Sequence, residues 1–260
     1  MQRRVIDTNV SLFRWPFRRL PLDETGELVA KLRSHSIEQA WAGSFEGLLH
    51  RDIAGVNSRL VEACRAHGDD LLFPFGSVNP VLPDWEEDLR RCHEEHRMLG
   101  VRLHPNYHGY TLDDPRFERL MRLAAERRLT VQLAAAMEDT RTQHPLLQVA
   151  DVDLTPLPEM LKRVPEARVV VLNHKVTGAE VMQLLNTPGA YFDMSRVNAT
   201  DGVARVMRTV PKGRVVFGTH APFLIYESAM IKVYESNLTD DEDSSILYEN
   251  AKRLVSRASV

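Results

Sequence analysis

The run ARVVVLNH at residues 167–174 shows the pattern that decides the fold. It is short, mostly apolar and rich in β-branched side chains, and it ends in two polar residues, Asn173 and His174. A strand of this kind suits a parallel sheet that is buried on both faces. Seven further runs share this character and alternate with longer segments of helical period: RRVID (3–7), EQAWAG (38–43), LLFPFGSV (71–78), GVRLH (100–104), LTVQLA (129–134), AYFDMS (190–195) and RVVFGT (214–219).

The segments between these runs carry helix start signals, which are Asp114 before Pro115, Thr177 with Glu180, and Thr239 with Glu242. Eight strands, each followed by a helix, in a chain of 260 residues predict a (β/α)8 TIM barrel of the α/β class. No GxGxxG motif follows a strand, which disfavours an open dinucleotide-binding sheet. No linker or composition break divides the chain, so residues 1–260 are predicted to form a single domain.

The composition excludes several classes of protein. Hydrophobic residues make up 43% and charged residues 27% of the chain, and the net charge of −3 gives no field that would attract nucleic acid or an anionic membrane. No apolar run is long enough for a signal peptide or a membrane span. We therefore expect a cytoplasmic protein whose partner is a small-molecule substrate, with no nucleic acid and no membrane as partners. A homo-oligomer is compatible with the sequence.

Three histidines lie at the ends of predicted strands, where barrels of this kind have their active sites. Side chains of His104, His174 and His220 that converge on one pocket would favour a functional site over three isolated rim residues, so we predict them to be catalytic. A neutral imidazole is the natural general base near pH 7, and a protonated one could polarise a carbonyl group. Asn9 and Asn173, also at strand ends, could donate hydrogen bonds to a developing oxyanion.

Aromatic and basic residues follow strands 1 and 4 and are the remaining candidates for substrate contact. We predict that Arg14, Trp15, Arg102 and Tyr107 bind the substrate, and that in the segment after strand 1 the arginine holds a carboxylate and the ring supplies apolar contact area. The alternative for the segment after strand 1 is an aromatic loop that packs over the barrel rim with solvated arginines.

The sequence resembles the amidohydrolase-related family, which is described as predicted metal-dependent hydrolases of the barrel fold. The resemblance rests on the order and spacing of short phrases along nearly the whole chain. These phrases are Val5-Ile6-Asp7, Gly76-Ser77-Val78-Asn79-Pro80, Gly100-Val101-Arg102-Leu103-His104-Pro105, Phe217-Gly218-Thr219-His220-Ala221-Pro222-Phe223 and Tyr248-Glu249-Asn250-Ala251-Lys252-Arg253-Leu254. The resemblance implies a hydrolase with a divalent metal ion at the mouth of the barrel.

The metal ligands that the resemblance implies are mostly replaced in this chain. The two family histidines after the strand-1 aspartate correspond to Asn9 and Ser11, and the strand-5 histidine corresponds to a run of alanines that begins at Ala134. The strand-8 aspartate, which would activate water in the family, corresponds to His220, and only His174 keeps the expected residue. A zinc site needs at least three good ligands, and asparagine, serine and alanine are not among them. The standard metal centre is therefore not expected.

Three functions remain open at this point. The first is a hydrolase of a small molecule, such as a lactone or a carboxylate-bearing substrate, that works without the standard metal centre; the wider superfamily includes lactonases that need no metal. The second is a catalytically degenerate barrel that serves as a binding protein. The third is a metallohydrolase whose zinc is held in a rearranged site by His104, His174 and His220. No cofactor is expected in the first two cases, and zinc is the cofactor in the third.

Overall fold

The computed structural model describes residues 3–175 and 179–256. Eight parallel strands pair in chain order: β1 Ile6–Leu12, β2 Gln39–Ser44, β3 Leu72–Ser77, β4 Gly100–Leu103, β5 Thr130–Ala134, β6 Val169–Leu172, β7 Ala190–Asp193 and β8 Val215–Val216. The N–H of Thr8 donates to the carbonyl oxygen of Phe217 at 3.0 Å, and the N–H of Ser11 donates to that of Ala221 at 2.8 Å. The segment that follows β8 therefore bonds back to β1, and the predicted (β/α)8 barrel is confirmed.

The helices follow the strands: α1 Thr25–Ser34, α2 Ile53–Gly68, α3 Trp85–Glu94, α4 Pro105–His108, α5 Pro115–Glu126, α6 Leu157–Arg163, α7 Ala179–Asn186, α8 Gly202–Thr209, α9 Tyr226–Tyr234, α10 Asp240–Ser244 and α11 Asn250–Ser256. The Asp114 side chain accepts from the N–H of Arg116 at 2.8 Å, and Thr239 forms a capping box with Glu242, as predicted. The capping box of Thr177 with Glu180 lies outside the described residues. None of the described helices combines the length and apolar character needed to cross a membrane.

Strand β1 differs from its prediction. It extends to Leu12, well past the predicted end at Asp7, so that Asn9 and Ser11 lie within the strand and not in a loop after it. Its polar residues are accommodated because β1 has hydrogen-bonded neighbours on both sides and is buried along its whole length. The register with β2 shifts between Asp7 and Val10, and such a bulge re-aims the side chains next to it.

Arg102 fills the barrel interior and does not reach its mouth. Its Nε donates to Gln132 Oε1 at 2.8 Å, Nη1 donates to the carbonyl oxygen of Val10 at 2.9 Å, and Nη2 donates to that of Trp41 at 3.1 Å. A Cβ at position 43 would lie 2.6 Å from Nη1, so Gly43 leaves the space that the guanidinium occupies. Burial lowers the pKa of Arg102 to about 10. Arg102 therefore holds strands together from inside, which differs from the predicted role in substrate binding.

Candidate active site

Four buried polar residues form one hydrogen-bonded group, the central cluster, in which Asn9 lies within β1 and Asn173, Asp193 and Ser195 lie at the carboxyl ends of β6 and β7. Nδ2 of Asn9 donates to Asn173 Oδ1 and to Asp193 Oδ2, both at 2.7 Å. The N–H of Asn173 donates to Asp193 Oδ1 at 2.9 Å, and Oγ of Ser195 donates to Asn173 Oδ1 at 3.1 Å. The cluster therefore connects the middle of β1 to the ends of β6 and β7 through hydrogen bonds between its own members.

Asp7 lies beside the central cluster and binds the segment after β8. Its Oδ1 accepts from the N–H of Thr219 at 2.9 Å, and its Oδ2 accepts from the hydroxyl of Thr219 at 2.6 Å. Burial raises the pKa of Asp7, and it raises the pKa of Asp193 to about 6 against the opposing effect of hydrogen bonds from Asn9 and Ser195. The negative charge of Asp7 also raises the pKa of Asp193. Two carboxyl groups thus share one poorly solvated region at the centre of the barrel mouth.

His220 has a fixed tautomer. Its Nε2 lies 2.8 Å from the carbonyl oxygen of Met137, and because a carbonyl oxygen can only accept, Nε2 carries the hydrogen and Nδ1 carries the lone pair. The ring stacks on Phe223 with centroids 4.8 Å apart, and burial lowers the pKa of His220 to about 3. Nδ1 has no hydrogen-bond partner in the described part of the chain. The side chain is therefore a neutral imidazole at pH 7 with a free basic nitrogen.

The backbone at the site is strained at two positions. Asn173 and His220 have φ values of 60° and 61°, in the left-handed region that residues other than glycine seldom adopt. Such a conformation costs roughly 1–3 kcal/mol and persists where the surrounding structure imposes it. At Asn173 this conformation turns the amide into the central cluster, while the next residue, His174, lies outside the cluster and is half-buried.

His220 lines a cavity of about 370 Å³ at the barrel mouth, the mouth cavity, together with charged side chains that include Arg18, Glu138, Arg196 and Lys232. The two acidic residues of its wall are already paired, Glu138 with Arg18 at 2.7 Å and Asp139 with Arg141 at 2.9 Å. Arg196 makes no ion pair with any carboxylate that the structure describes. The mouth cavity therefore has an excess of unpaired positive charge, which suits an anionic ligand.

The three predicted catalytic histidines follow β4, β6 and β8 and so share one end of the barrel, but they do not converge. His104 faces His108, with ring centroids 6.0 Å apart, whereas His220 bonds to Met137. Of the three, all within the described residues, only His220 lines the mouth cavity. No three or more histidine, cysteine, aspartate or glutamate side chains are grouped closely enough to hold an ion within residues 3–175 and 179–256. The predicted three-histidine zinc site is therefore wrong for the described residues, because His104 faces His108 while His220 bonds to Met137.

Burial also lowers the pKa of His104 and of His174. With the lowered pKa of His220, this places all three predicted histidines in the neutral form near pH 7 when no ligand is bound. The expectation of a protonated imidazole that polarises a carbonyl is therefore not supported in the free protein.

The predicted substrate-binding residues divide into two groups. Asn9 and Asn173 belong to the central cluster, where their amide hydrogens are already donated to protein oxygens. Arg14 pairs with Glu24 beside a different cavity, of about 440 Å³. Trp15 is buried edge-on against Tyr107, at 6.2 Å, and against Phe223, at 4.9 Å. Trp15 and Tyr107 thus form the aromatic packing that was the alternative to substrate contact.

The divalent ion that the resemblance implies does not fit the residues present. Both oxygens of Asp7 and both oxygens of Asp193 already accept hydrogen bonds. Asn9 points its NH₂ group, a donor, toward Asp193 and Asn173, whereas a cation needs lone pairs directed at it. A Cβ at position 218 would come within 3.0 Å of both Asn9 and Asp193, so the space around the cluster is closely filled.

Sequence reasoning missed four residues of this region: Asp193, Ser195, Arg196 and Lys232. The first three follow the apolar part of the run AYFDMS, so the polar end of predicted strand 7 carried a signal that could have found them. Lys232 lies on α9, and its Nζ donates to the carbonyl oxygen of Ser195. No local pattern shows that a helix side chain reaches back over the barrel mouth.

The fold and the position of the site define a (β/α)8 barrel of the kind that carries its chemistry at the carboxyl ends of the strands. The model of the Amidohydrolase family matches residues 16–257, and the chain belongs to this family, whose members are enzymes. No curated protein matches the sequence.

Solved structures of similar fold include several decarboxylases. The 5-carboxyvanillate decarboxylase LigW from Sphingomonas paucimobilis has a TM-score of 0.77 at 12% identity, over 97% of this chain and 99% of that chain. The 2,6-dihydroxybenzoate decarboxylase from Rhizobium has a TM-score of 0.73 at 14% identity, over 99% of both chains. The 5-carboxyvanillate decarboxylase from Novosphingobium aromaticivorans, solved with manganese and 4-hydroxy-3-methoxy-5-nitrobenzoic acid, has a TM-score of 0.78 at 14% identity, over 98% of this chain and 96% of that chain. At these identities the likeness shows the fold.

Proposed function

We propose that the protein is a hydrolase of a small ester or lactone that bears a carboxylate, and that it works without a divalent metal ion. The observation that carries this proposal is His220. Its Nδ1 is buried and holds a lone pair with no partner among the described residues, and the residue lines a cavity of about 370 Å³. A neutral imidazole in that position can take a proton from the water molecule that attacks the carbonyl carbon.

Arg196 is the proposed anchor for the substrate carboxylate. It lines the same cavity, and its positive charge contributes to the lowered pKa of His220. A bound carboxylate would offset that charge and favour the protonated imidazole, so binding raises the pKa of His220. The substrate thereby brings a weak base toward the range in which general bases are effective.

The developing oxyanion needs a positive or hydrogen-bonding partner. Asn9 and Asn173 were the predicted donors, but Asn9 donates to Asn173 and Asp193, and Nδ2 of Asn173 donates to the carbonyl oxygen of Ala136. We therefore assign this role to the cationic side chains of the mouth cavity.

The test is hydrolysis of a panel of lactones and esters, each with and without a carboxylate, in the presence of EDTA. We expect the carboxylate-bearing members to be hydrolysed, and His220→Gln to lower kcat at least about a hundredfold while the barrel stays folded. His67→Gln, on the exposed side of α2, is the matched control and should keep full activity. Loss of wild-type activity in EDTA would show that the reaction requires a metal ion. A panel with no hydrolysed member would leave the binding protein as the better hypothesis.

His104 and His174 remain predicted catalytic residues. Each has an Nδ1 atom without a partner in the described part of the chain, but neither lines the mouth cavity. We therefore expect their substitution by glutamine to lower kcat less than the His220 substitution does, in the same assay.

A decarboxylase of aromatic carboxylates is the second candidate, because the solved relatives include such enzymes and Phe223 places an aromatic ring beside the cations of the cavity. Replacing a carboxylate by hydrogen requires an acid, whereas burial lowers the pKa of His220 to about 3 and leaves a neutral imidazole in the free protein. We place hydrolysis first because it begins with a proton acceptor, which the free protein already has. Release of CO₂ from 2,6-dihydroxybenzoate or 5-carboxyvanillate would reverse the order of the two candidates.

A further inference from the structure

We propose that the side-chain amine of Lys232 forms an imine with the carbonyl group of a small keto acid bound in the mouth cavity. This activity is separate from the proposed hydrolysis, because the nucleophile is the lysine nitrogen and no water is activated.

The first support is the position of Lys232 on α9. Its neighbours Ile231 and Tyr234 are 60% and 63% exposed on the outer side of the helix, whereas Lys232 is half-buried and lines the mouth cavity. Its Nζ donates to the carbonyl oxygen of Ser195, next to the central cluster. The helix thus delivers a primary amine to the carboxyl ends of the strands.

The second support is the lack of a carboxylate partner. Lys31 pairs with Glu227, and Lys162 pairs with Glu159 at 2.5 Å. Lys232 makes no ion pair with the carboxylates that the structure describes, and its hydrogen-bond partner is a neutral carbonyl oxygen. Burial lowers the pKa of Lys232 against the opposing negative charges of Asp193 and Glu235, which increases the fraction of the nucleophilic amine.

The third support is the set of side chains that line the cavity with Lys232. Arg196 lines the same cavity without an ion pair among the described residues and can hold the acid group of a keto acid. His220, Arg196 and Lys232 line the same cavity, and the positive charges of Arg196 and Lys232 both lower the pKa of His220. We assign to His220 the role of proton acceptor for the reacting nitrogen.

The reaction balances without a further reagent. The lone pair of Lys232 Nζ forms a bond to the ketone carbon, and the ketone oxygen takes up a proton that the nitrogen loses. The carbon–oxygen bond then breaks, the oxygen leaves as water with the second proton of the amine, and a carbon–nitrogen double bond remains. A hydride donor such as cyanoborohydride adds hydride to that carbon and fixes the ligand as a secondary amine.

The experiment uses the intact protein, pyruvate and sodium cyanoborohydride, followed by peptide mass mapping of the six lysines: Lys31, Lys162, Lys175, Lys212, Lys232 and Lys252. We expect the adduct on Lys232 at least tenfold above that on any other lysine. Propionate, which lacks the ketone, should give no adduct. Lys212→Arg replaces an exposed lysine outside the mouth cavity and should leave the labelling of Lys232 unchanged.

Lys232→Arg keeps a positive charge on α9 and should abolish the selective adduct without lowering the melting temperature. His220→Gln separates the two proposals, since it removes hydrolysis but leaves the amine able to react, so a Lys232 adduct in that variant supports the imine whatever the result of the hydrolysis assay. Labelling spread evenly over the six lysines, or no adduct on wild-type protein, would overturn the proposal.

Discussion

The central cluster and the mouth cavity lie at the same end of the barrel, but their polar groups are paired very differently. In the cluster, Asn9, Asn173 and Asp193 bond to one another at 2.7 to 2.9 Å. In the cavity, Arg196 and Nδ1 of His220 have no partner among the described residues. A buried polar group without a partner costs about 1–3 kcal/mol, whereas a paired one contributes modestly to stability. We therefore infer that the central cluster stabilises the barrel and that the mouth cavity binds a ligand.

The largest effect on stability should come from Asn9→Leu. It removes the amide that donates to Asn173 and Asp193 and leaves two buried oxygens short of a donor. We expect the free energy of unfolding to fall by about 2–4 kcal/mol, measured by urea denaturation. Asn198→Leu changes the same residue type on the exposed wall of the cavity and should cost less than about 0.5 kcal/mol. Equal losses of unfolding free energy in the two variants would show that the central cluster is no more important for stability than the wall of the mouth cavity.

The pH dependence of the unfolding free energy tests whether the pKa of Asp193 is raised in the folded protein. Burial raises the pKa of Asp193 from 3.8 to about 6, so the folded protein binds more protons than the unfolded chain between these values. The stability that this group contributes is present below pH 3.8 and is lost as the pH rises through 6, by up to about 3 kcal/mol. His220, with its lowered pKa, acts in the opposite direction over part of this range.

The measurement is therefore the difference in unfolding free energy between wild type and Asp193→Asn from pH 4 to pH 7. The contribution of His220 is common to both proteins and cancels. We expect the variant to gain stability relative to wild type as the pH rises. A difference that stays constant with pH would mean that Asp193 is ionised throughout the range.

The variant Arg196→Met tests whether the mouth cavity binds a carboxylate through Arg196. Loss of a charge-assisted contact worth about 1.5–3 kcal/mol should weaken binding of a carboxylate ligand roughly 10- to 150-fold, as measured by calorimetry. The melting temperature should be nearly unchanged, because Arg196 has no described ion-pair partner to lose. Unchanged affinity in this variant would remove Arg196 as the carboxylate anchor.

The smallest expected effect is that of a chelator. Because the oxygens of Asp7 and Asp193 accept hydrogen bonds and Asn9 presents a donor, we expect EDTA to leave the melting temperature unchanged. Elemental analysis should find zinc and manganese well below one ion per chain. One tightly bound ion per chain would show that the central cluster rearranges to bind metal.

Much of the fold could be predicted because it depends on local patterns. The eight apolar runs correspond to the eight strands, and the caps at Asp114 and Thr239 form as their spacing predicts. The location of His104, His174 and His220 at the same end of the barrel could be predicted, because all strands of a parallel barrel run in the same direction. The length of β1 could not be predicted, since its polar residues are stabilised by partners more than 160 residues away, such as Asn173 for Asn9.

The sequence by itself determined a barrel of eight strands and the end that carries its polar groups. Only the tertiary structure decided which of those groups are already paired. It turned Asn173 and not His174 into the central cluster, held Arg102 inside the barrel, and brought Lys232 from α9 to the carbonyl oxygen of Ser195. The physical reason is that strand pattern and polarity depend on the nearest residues in the chain. Hydrogen-bond pairing depends on side-chain directions that are set only when distant strands and helices pack together.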